Sequence, residues 1–99
     1  MIALTNQERP IVEDVLAKYT PADCHVFAFG SRVTHTHSRY SDLDLVFIKN
    51  NAQTLSLQEH GLLAEAFSLS DLTFFVDIVD YHDCSPDFQA IIDASKVML

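Results

Sequence analysis

The most apolar stretch of the chain, residues 74–79, constrains the fold most strongly because it predicts a β-strand over residues 74–80. The sequence of this strand, Phe-Phe-Val-Asp-Ile-Val-Asp, is almost unbroken in apolar character, which is typical of a strand buried on both faces. Two further apolar runs predict strands at residues 25–30, which end at a glycine, and at residues 42–48, which a polar turn follows. Strands of this kind need helices to cover them.

Three segments have the residue spacing of helices with one apolar face. The first follows a capping box formed by Thr5 and Glu8 and ends before Pro21. The second covers residues 55–67, and the third opens at Ser85-Pro86, which is a favourable helix start. The residues predicted to face the core are Ile11, Val12, Val15, Leu16 and Tyr19 in the first helix, Leu62, Leu63, Ala66 and Phe67 in the second, and Phe88, Ile91, Ile92 and Ser95 in the third.

The polar segment between the first two strands has no apolar periodicity, and it predicts a loop or a short helix. The order of elements is therefore α-β-β-α-β-α. This order predicts an α+β fold, in which helices pack on a small mixed β-sheet.

The length of 99 residues predicts a single domain over residues 1–99. Six basic residues face fourteen acidic ones, and the formal charge is -8. Direct binding to nucleic acid is not expected, because such binding depends on Lys and Arg neutralising phosphates. No apolar run is long enough to span a membrane, and the first residues do not resemble a secretory signal, so we expect a cytoplasmic protein.

Three aspartates occupy positions where their charges need compensation. Asp42 and Asp44 are two apart at the start of a strand, so they project to the same face, and Asp77 lies within the most apolar run. Carboxylates placed together repel one another, and an ionised carboxylate in apolar surroundings is costly, unless a cation is bound. Alone, an Asp-x-Asp pair is usually a solvated strand end, and Asp77 could equally face water from an edge strand.

Gly30-Ser31 follows the first strand directly. Glycine allows the backbone to adopt a positive φ and to approach a phosphate closely. If a helical turn begins at Ser31, its free amides and the hydroxyl form a site for an anion. A Gly-Ser pair by itself is most often a turn, but this one stands a short loop before Asp42-x-Asp44.

The segments Phe29-Gly-Ser-Arg-Val and Tyr40-Ser-Asp-Leu-Asp-Leu-Val together resemble the Gly-Ser…Asp-x-Asp motif of the DNA polymerase β-like nucleotidyltransferase superfamily. The chain length and the later Val76-Asp-Ile-Val-Asp segment are similar to those of the minimal nucleotidyltransferases, or MNT proteins. The resemblance covers nearly the whole chain.

The resemblance implies transfer of AMP from ATP to a hydroxyl, with Mg²⁺ (Mn²⁺ as an alternative) as the metal. It further implies an antitoxin whose partner is an all-helical toxin of the HEPN type. Some members of the family adenylylate a tyrosine of that toxin. Asp42, Asp44 and Asp77 would be the catalytic metal ligands, holding two ions. Gly30 and Ser31 would bind the phosphates of the nucleotide.

One position departs from the pattern of the family, which commonly has a second glycine shortly after Gly-Ser. His35 stands near that position, and we therefore expect the loop after Gly30-Ser31 to be stiffer than in other members. Arg32 and Arg39 are candidate triphosphate contacts, or alternatively surface arginines that pair with nearby aspartates. The His35-x-His37 pair has no third ligand nearby, which predicts a polar loop rather than a zinc site.

The departure at His35 keeps a second function open, that of a non-catalytic antitoxin that neutralises its partner by forming a complex. A small-molecule acceptor fits less well, because enzymes of that kind in the superfamily carry an additional substrate-binding domain. We expect a hetero-oligomer with the partner or a homodimer, with Leu55, Leu57 or Phe75 as possible interface residues.

Overall fold

The computed structural model describes residues 2–99, which form a mixed sheet with helices on both of its faces. No helix in this range is long and apolar enough to cross a membrane. The elements are, in chain order, α1 (Glu8–Tyr19), β1 (Cys24–Phe29), α2 (Ser31–Thr34), β2 (Leu43–Lys49), α3 (Leu57–Ser68), β3 (Val76–Asp80), a 3₁₀ turn (Tyr81–Asp83), α4 (Pro86–Ser95) and β4 (Val97–Met98).

The sheet has the strand order β3-β2-β1-β4. β2 runs antiparallel to β1 and parallel to β3, and β4 pairs antiparallel with the end of β1. The predicted α+β fold with a mixed sheet is therefore confirmed. β2 is an interior strand, and its residues Leu43, Leu45, Val46 and Phe47 are fully buried.

Alternate residues of β2 contact two separate apolar clusters, because neighbouring side chains of a strand point to opposite faces. On one face, Leu45 and Phe47 belong to the larger cluster, together with residues of α1 and α3. On the other face, Val46 packs with Phe29 and with Ile92 of α4 in a smaller cluster. The sheet thus separates the α1 and α3 layer from the α4 layer.

The prediction that residues 74–80 are buried on both faces is wrong. β3 begins at Val76 and lies at the edge of the sheet, so that Asp77 is exposed and Phe75 is 79% exposed. Val76 and Ile78 pack against the larger cluster and Val79 against the smaller one, which accounts for the apolar character of the run. The argument that burial makes an ionised Asp77 costly therefore does not hold.

Most helix predictions are confirmed, with differences at particular positions. Both hydrogen bonds of the Thr5–Glu8 capping box are present, although the regular helix begins only at Glu8. The polar segment after β1 forms the short helix α2. Tyr19, Leu62 and Ile91, predicted to face the core, are 40%, 44% and 61% exposed. The sequence pattern also missed β4, whose two residues are too few to show a period.

Candidate active site

The ends of three strands meet on the same side of the sheet and bring the predicted residues together; this row of strand ends is called the active-site edge. Because β1 and β2 are antiparallel, the end of β1 lies beside the start of β2, with Phe29 opposite Asp44. Because β2 and β3 are parallel, their starts coincide, and Asp44 stands opposite Asp77. Gly30 follows Phe29 directly, and Asp42 directly precedes β2.

The three carboxylates share this edge but differ in exposure. Asp42 and Asp77 are exposed, whereas Asp44, between them, is half-buried. Neighbouring strands lie about 4.8 Å apart, and residues two apart in a strand lie about 6–7 Å apart on the same face. The carboxylates of Asp42 and Asp77 are therefore both close to that of Asp44.

Burial, the charge of Asp77 and the charge of Asp42, in that order of importance, raise the pKa of Asp44 to about 6. No cation offsets these effects, because the ion pairs within residues 2–99 are Lys49–Glu59 and Lys96–Asp93. Three carboxylate groups without basic partners are the hard oxygen ligands that Mg²⁺ prefers. In the described part of the chain, no three His, Cys, Asp or Glu side chains are already grouped around one position for a metal.

Gly30 is required at its position for two independent reasons. Its φ of 82° and ψ of -156° lie in a region that is essentially restricted to glycine. In addition, a Cβ atom on Gly30 would overlap Oδ2 of Asp44. The missing side chain leaves room for the Asp44 carboxylate beside the Gly30-Ser31 turn, and Ser31 then opens α2.

His35 ends α2 in the left-handed conformation, with φ 60° and ψ 33°, and its backbone N–H donates to the carbonyl of Ser31. This conformation favours glycine, and histidine is among the residues enriched there. The backbone therefore follows a path suited to glycine at the position where the family commonly has one. The rings of His35 and His37 have centroids 6.4 Å apart.

Arg32 does not face the carboxylates, and the structure argues against the predicted contact with a triphosphate. Its side chain is 2% exposed, and its guanidinium donates to the carbonyls of Ala3, Ser41 and Arg39 at 2.9, 3.0 and 3.1 Å. The guanidinium carbon also lies 3.9 Å from the ring centroid of Phe74. The alternative prediction of a surface arginine paired with aspartates is wrong as well. Sequence spacing offers no signal for these contacts, because two of them join Arg32 to the irregular loop before β2 and the third joins it to Ala3 at the start of the chain.

Arg39 remains a candidate nucleotide contact. It is exposed, and its guanidinium carbon lies 5.0 Å from the ring centroid of Tyr40. It also lines a hollow of about 480 Å³, together with Glu8 and Asp71, beside the N-terminus of α1. No ion pair within residues 2–99 includes Arg39.

A mixed sheet that sets carboxylates of two paired strands beside a Gly-Ser turn is the framework of a nucleotidyltransferase. The chain belongs to the family described as Polymerase beta, Nucleotidyltransferase, whose model matches residues 12–99. Nucleotidyltransferases of this family generally use ATP and a divalent metal ion, which agrees with the carboxylate groups at this edge of the sheet.

A named relative and two solved structures are similar to this chain. The probable protein adenylyltransferase MntA of Haemophilus influenzae is 42% identical over 96 residues, which cover 97% of this chain and 82% of that protein. A toxin–antitoxin structure with AMP-PNP matches with a TM-score of 0.73 at 22% identity, over 95% of this chain and 72% of that one. An MntA–HepT toxin–antitoxin structure matches with a TM-score of 0.59 at 21% identity, over 86% and 62%. The family and the fold are thereby confirmed.

Proposed function

We propose that this protein transfers AMP from ATP to a hydroxyl group of a toxin, and that it acts as the antitoxin of the pair. The relative at 42% identity is named a probable protein adenylyltransferase, which supports a protein as the acceptor. The structural neighbours are toxin–antitoxin complexes, which supports a toxin as the partner. That the toxin is an all-helical HEPN protein, and that the pair acts in the cytoplasm, are parts of the same proposal.

The observation that carries the proposal is the register of Asp44 opposite Asp77, beside a glycine at which any side chain would displace the Asp44 carboxylate. Asp42, Asp44 and Asp77 would hold Mg²⁺, with two ions expected and Mn²⁺ as an alternative. The metal would neutralise the phosphates and make the acceptor hydroxyl more acidic. It would also allow a chain of charge -8 to bind a triphosphate.

The other residues of the site would position the nucleotide. Gly30 and Ser31 would bind its phosphates, because they are adjacent to Asp44 and the glycine lets the backbone approach closely. Arg39 is exposed in the loop before Asp42 and would contact the triphosphate from that side. Arg32 is not included, because backbone carbonyls already bind its guanidinium.

The test is to incubate the protein with the purified toxin of its pair, Mg²⁺ and ATP. The ATP carries its label in the AMP part of the molecule, so that the label moves with the transferred group. The toxin should become labelled. Asp44→Asn and Asp77→Asn should each reduce the labelling rate by at least about 100-fold, because loss of a group that only hydrogen-bonds to a metal ligand already costs about 10- to 100-fold. Asp14→Asn is the matched control, because Asp14 is an exposed aspartate of α1. Labelling that is unchanged in Asp44→Asn would refute the proposed site.

The same experiment distinguishes the second function, a non-catalytic antitoxin, which the substitution of His35 for a glycine motivates. In that case the toxin stays unlabelled, and Asp44→Asn still neutralises it by forming a complex. Calorimetry would then detect no binding of ATP. The left-handed conformation of His35 favours the catalytic function, because the loop keeps the path that glycine would take.

A further inference from the structure

An apolar groove of about 690 Å³ opens between the second half of α3 and the segment that leads into β3. Phe67 and Phe74, both buried in the core, line it together with Phe75. Ala64 and Ser68 of α3 line it from the other side. These two residues are four apart, so they share one face of the helix, and their small side chains leave the groove open.

Phe75 is unusual among the large apolar residues of this groove because it is 79% exposed. Removing a phenylalanine side chain from water is favourable, and Phe75 makes little use of this within its own chain. Leu72 is half-buried beside it. An apolar patch that adjoins a groove of this size is typical of a surface that binds another molecule.

The charge around the groove restricts the chemistry of its ligand. Its lining includes Glu65 and no Lys or Arg. The exposed Asp77 follows Phe75 by two residues, and the chain as a whole carries a charge of -8. A segment that is apolar at its centre and basic at its flanks is therefore complementary, because its Lys or Arg side chains would meet these carboxylates.

The groove adjoins the candidate active site at the start of β3, although the two open on opposite faces of the sheet. Phe67, Phe74 and Val76 belong to the α1 and α3 side, whereas Asp44 and Asp77 alternate with residues of that side. The carbonyl of Phe75 accepts a hydrogen bond of 2.9 Å from the N–H of Leu43, which lies between Asp42 and Asp44. Phe75 thus lies beside the start of β2 and two residues before Asp77, on the edge strand β3. A partner that covers Phe75 would reach the carboxylates around this edge of the sheet. A partner held in the groove would bring its nearby residues to the site of transfer.

We propose that this groove is the docking site for the toxin, and that it takes an apolar segment with flanking Lys or Arg residues. Docking there presents the acceptor hydroxyl to Asp42, Asp44 and Asp77. The assignment of the acceptor rests on the proposed function, whereas the docking itself does not require the chemistry.

The test uses Ala64→Arg, which fills the groove and adds a charge that repels a basic segment, and Phe75→Ser, which removes its exposed apolar wall. Each should weaken toxin binding, measured by calorimetry with the purified toxin, by on the order of tenfold or more. Labelling of the toxin at limiting concentration should fall with it. ATP binding by Ala64→Arg should equal that of the wild type, because Ala64 is exposed on α3 and arginine is a good helix former.

Two matched controls carry the same substitutions elsewhere. Ala90→Arg places the new charge on an exposed position of α4, and Met98→Ser removes a side chain that is 65% exposed on β4, at the opposite edge of the sheet from β3. Both should bind the toxin as the wild type does. Wild-type affinity in Ala64→Arg and Phe75→Ser would overturn the proposal. So would a wild-type dimer that Ala64→Arg dissociates in sedimentation experiments, since the groove would then bind a second copy of this chain.

The outcome separates docking from catalysis. Asp44→Asn should bind the toxin with wild-type affinity while failing to label it. A wild-type protein that binds the toxin but never labels it would refute the proposed transfer, and the affinities of the groove variants would still decide where the toxin docks.

Discussion

At the scale of single residues, the site depends on Gly30 having no side chain. Gly30 combines a backbone conformation available to glycine with direct proximity to Asp44. The two effects are independent, so a substitution would both strain the backbone and displace the Asp44 carboxylate. Gly30 thus affects the position of a proposed metal ligand, in addition to the phosphate contact that the Gly-Ser pair predicts.

We expect Gly30→Ala to destabilise the fold by about 1–3 kcal/mol from backbone strain and to displace Asp44. Urea unfolding measures the first effect, and the rate of AMP transfer, which should fall at least about 100-fold, measures the second. The control is Gly61→Ala in α3, where a Cβ would meet no atom within 4 Å. That variant should be more stable by about 0.5–1 kcal/mol, because alanine is the better helix former. Equal stability of the two variants would contradict the role of Gly30.

At the scale of elements, α2 is held in place from outside the active site. Its four residues are too few to be stable as an isolated helix. The guanidinium of Arg32 fixes it by bonding to the segment before α1 and to the loop before β2, with the ring of Phe74 against it. Arg32 therefore positions the loop that carries Gly30-Ser31 and Arg39.

We expect Arg32→Ala to lower the free energy of unfolding by about 3 kcal/mol or more, because three carbonyls lose a buried donor. Arg32→Lys should recover only part of this loss, since an ammonium cannot reproduce the planar arrangement of donors. Urea unfolding checks both values, with Arg39→Ala as the exposed control, which should unfold like the wild type. A stable Arg32→Ala protein that has lost only ATP affinity would instead support the predicted contact between Arg32 and the triphosphate.

At the scale of the whole molecule, the active-site edge carries an excess of negative charge that the protein itself does not neutralise. The pKa of Asp44, raised to about 6, means that the folded state binds this proton more tightly than the unfolded chain does. Its contribution to stability is present at low pH and is lost as the pH rises from about 4 to about 6. Bound Mg²⁺ should offset the loss, because it compensates the ionised carboxylates.

We therefore expect Asp44→Asn to be more stable than the wild type by about 1 kcal/mol near pH 7.5, after discounting for solvent screening, and to differ little near pH 4.5. Mg²⁺ should stabilise the wild type near pH 7.5 and leave Asp44→Asn unchanged. Thermal unfolding at the two pH values, with and without Mg²⁺, measures both effects. A wild type that gains no stability from Mg²⁺ would argue against a metal at Asp44.

Local patterns in the sequence determined three of the four strands, three of the helices and the aspartates and glycine grouped at the site. Strand periodicity places Asp42 and Asp44 on one face, and the glycine after β1 marks the turn, because both depend on neighbours along the chain. The capping box at Thr5 and Glu8 is local in the same sense and is observed as predicted.

Only the tertiary structure decided what depends on distant segments. Strand order makes β3 an edge strand, which exposes Asp77 and Phe75 despite their apolar surroundings in the sequence. The burial of Arg32 results from contacts with Ala3 and Phe74, residues far away in the chain. Composition alone cannot distinguish a central strand from an edge strand, or a buried guanidinium from an exposed one, because the difference lies in which surfaces the folded chain brings together.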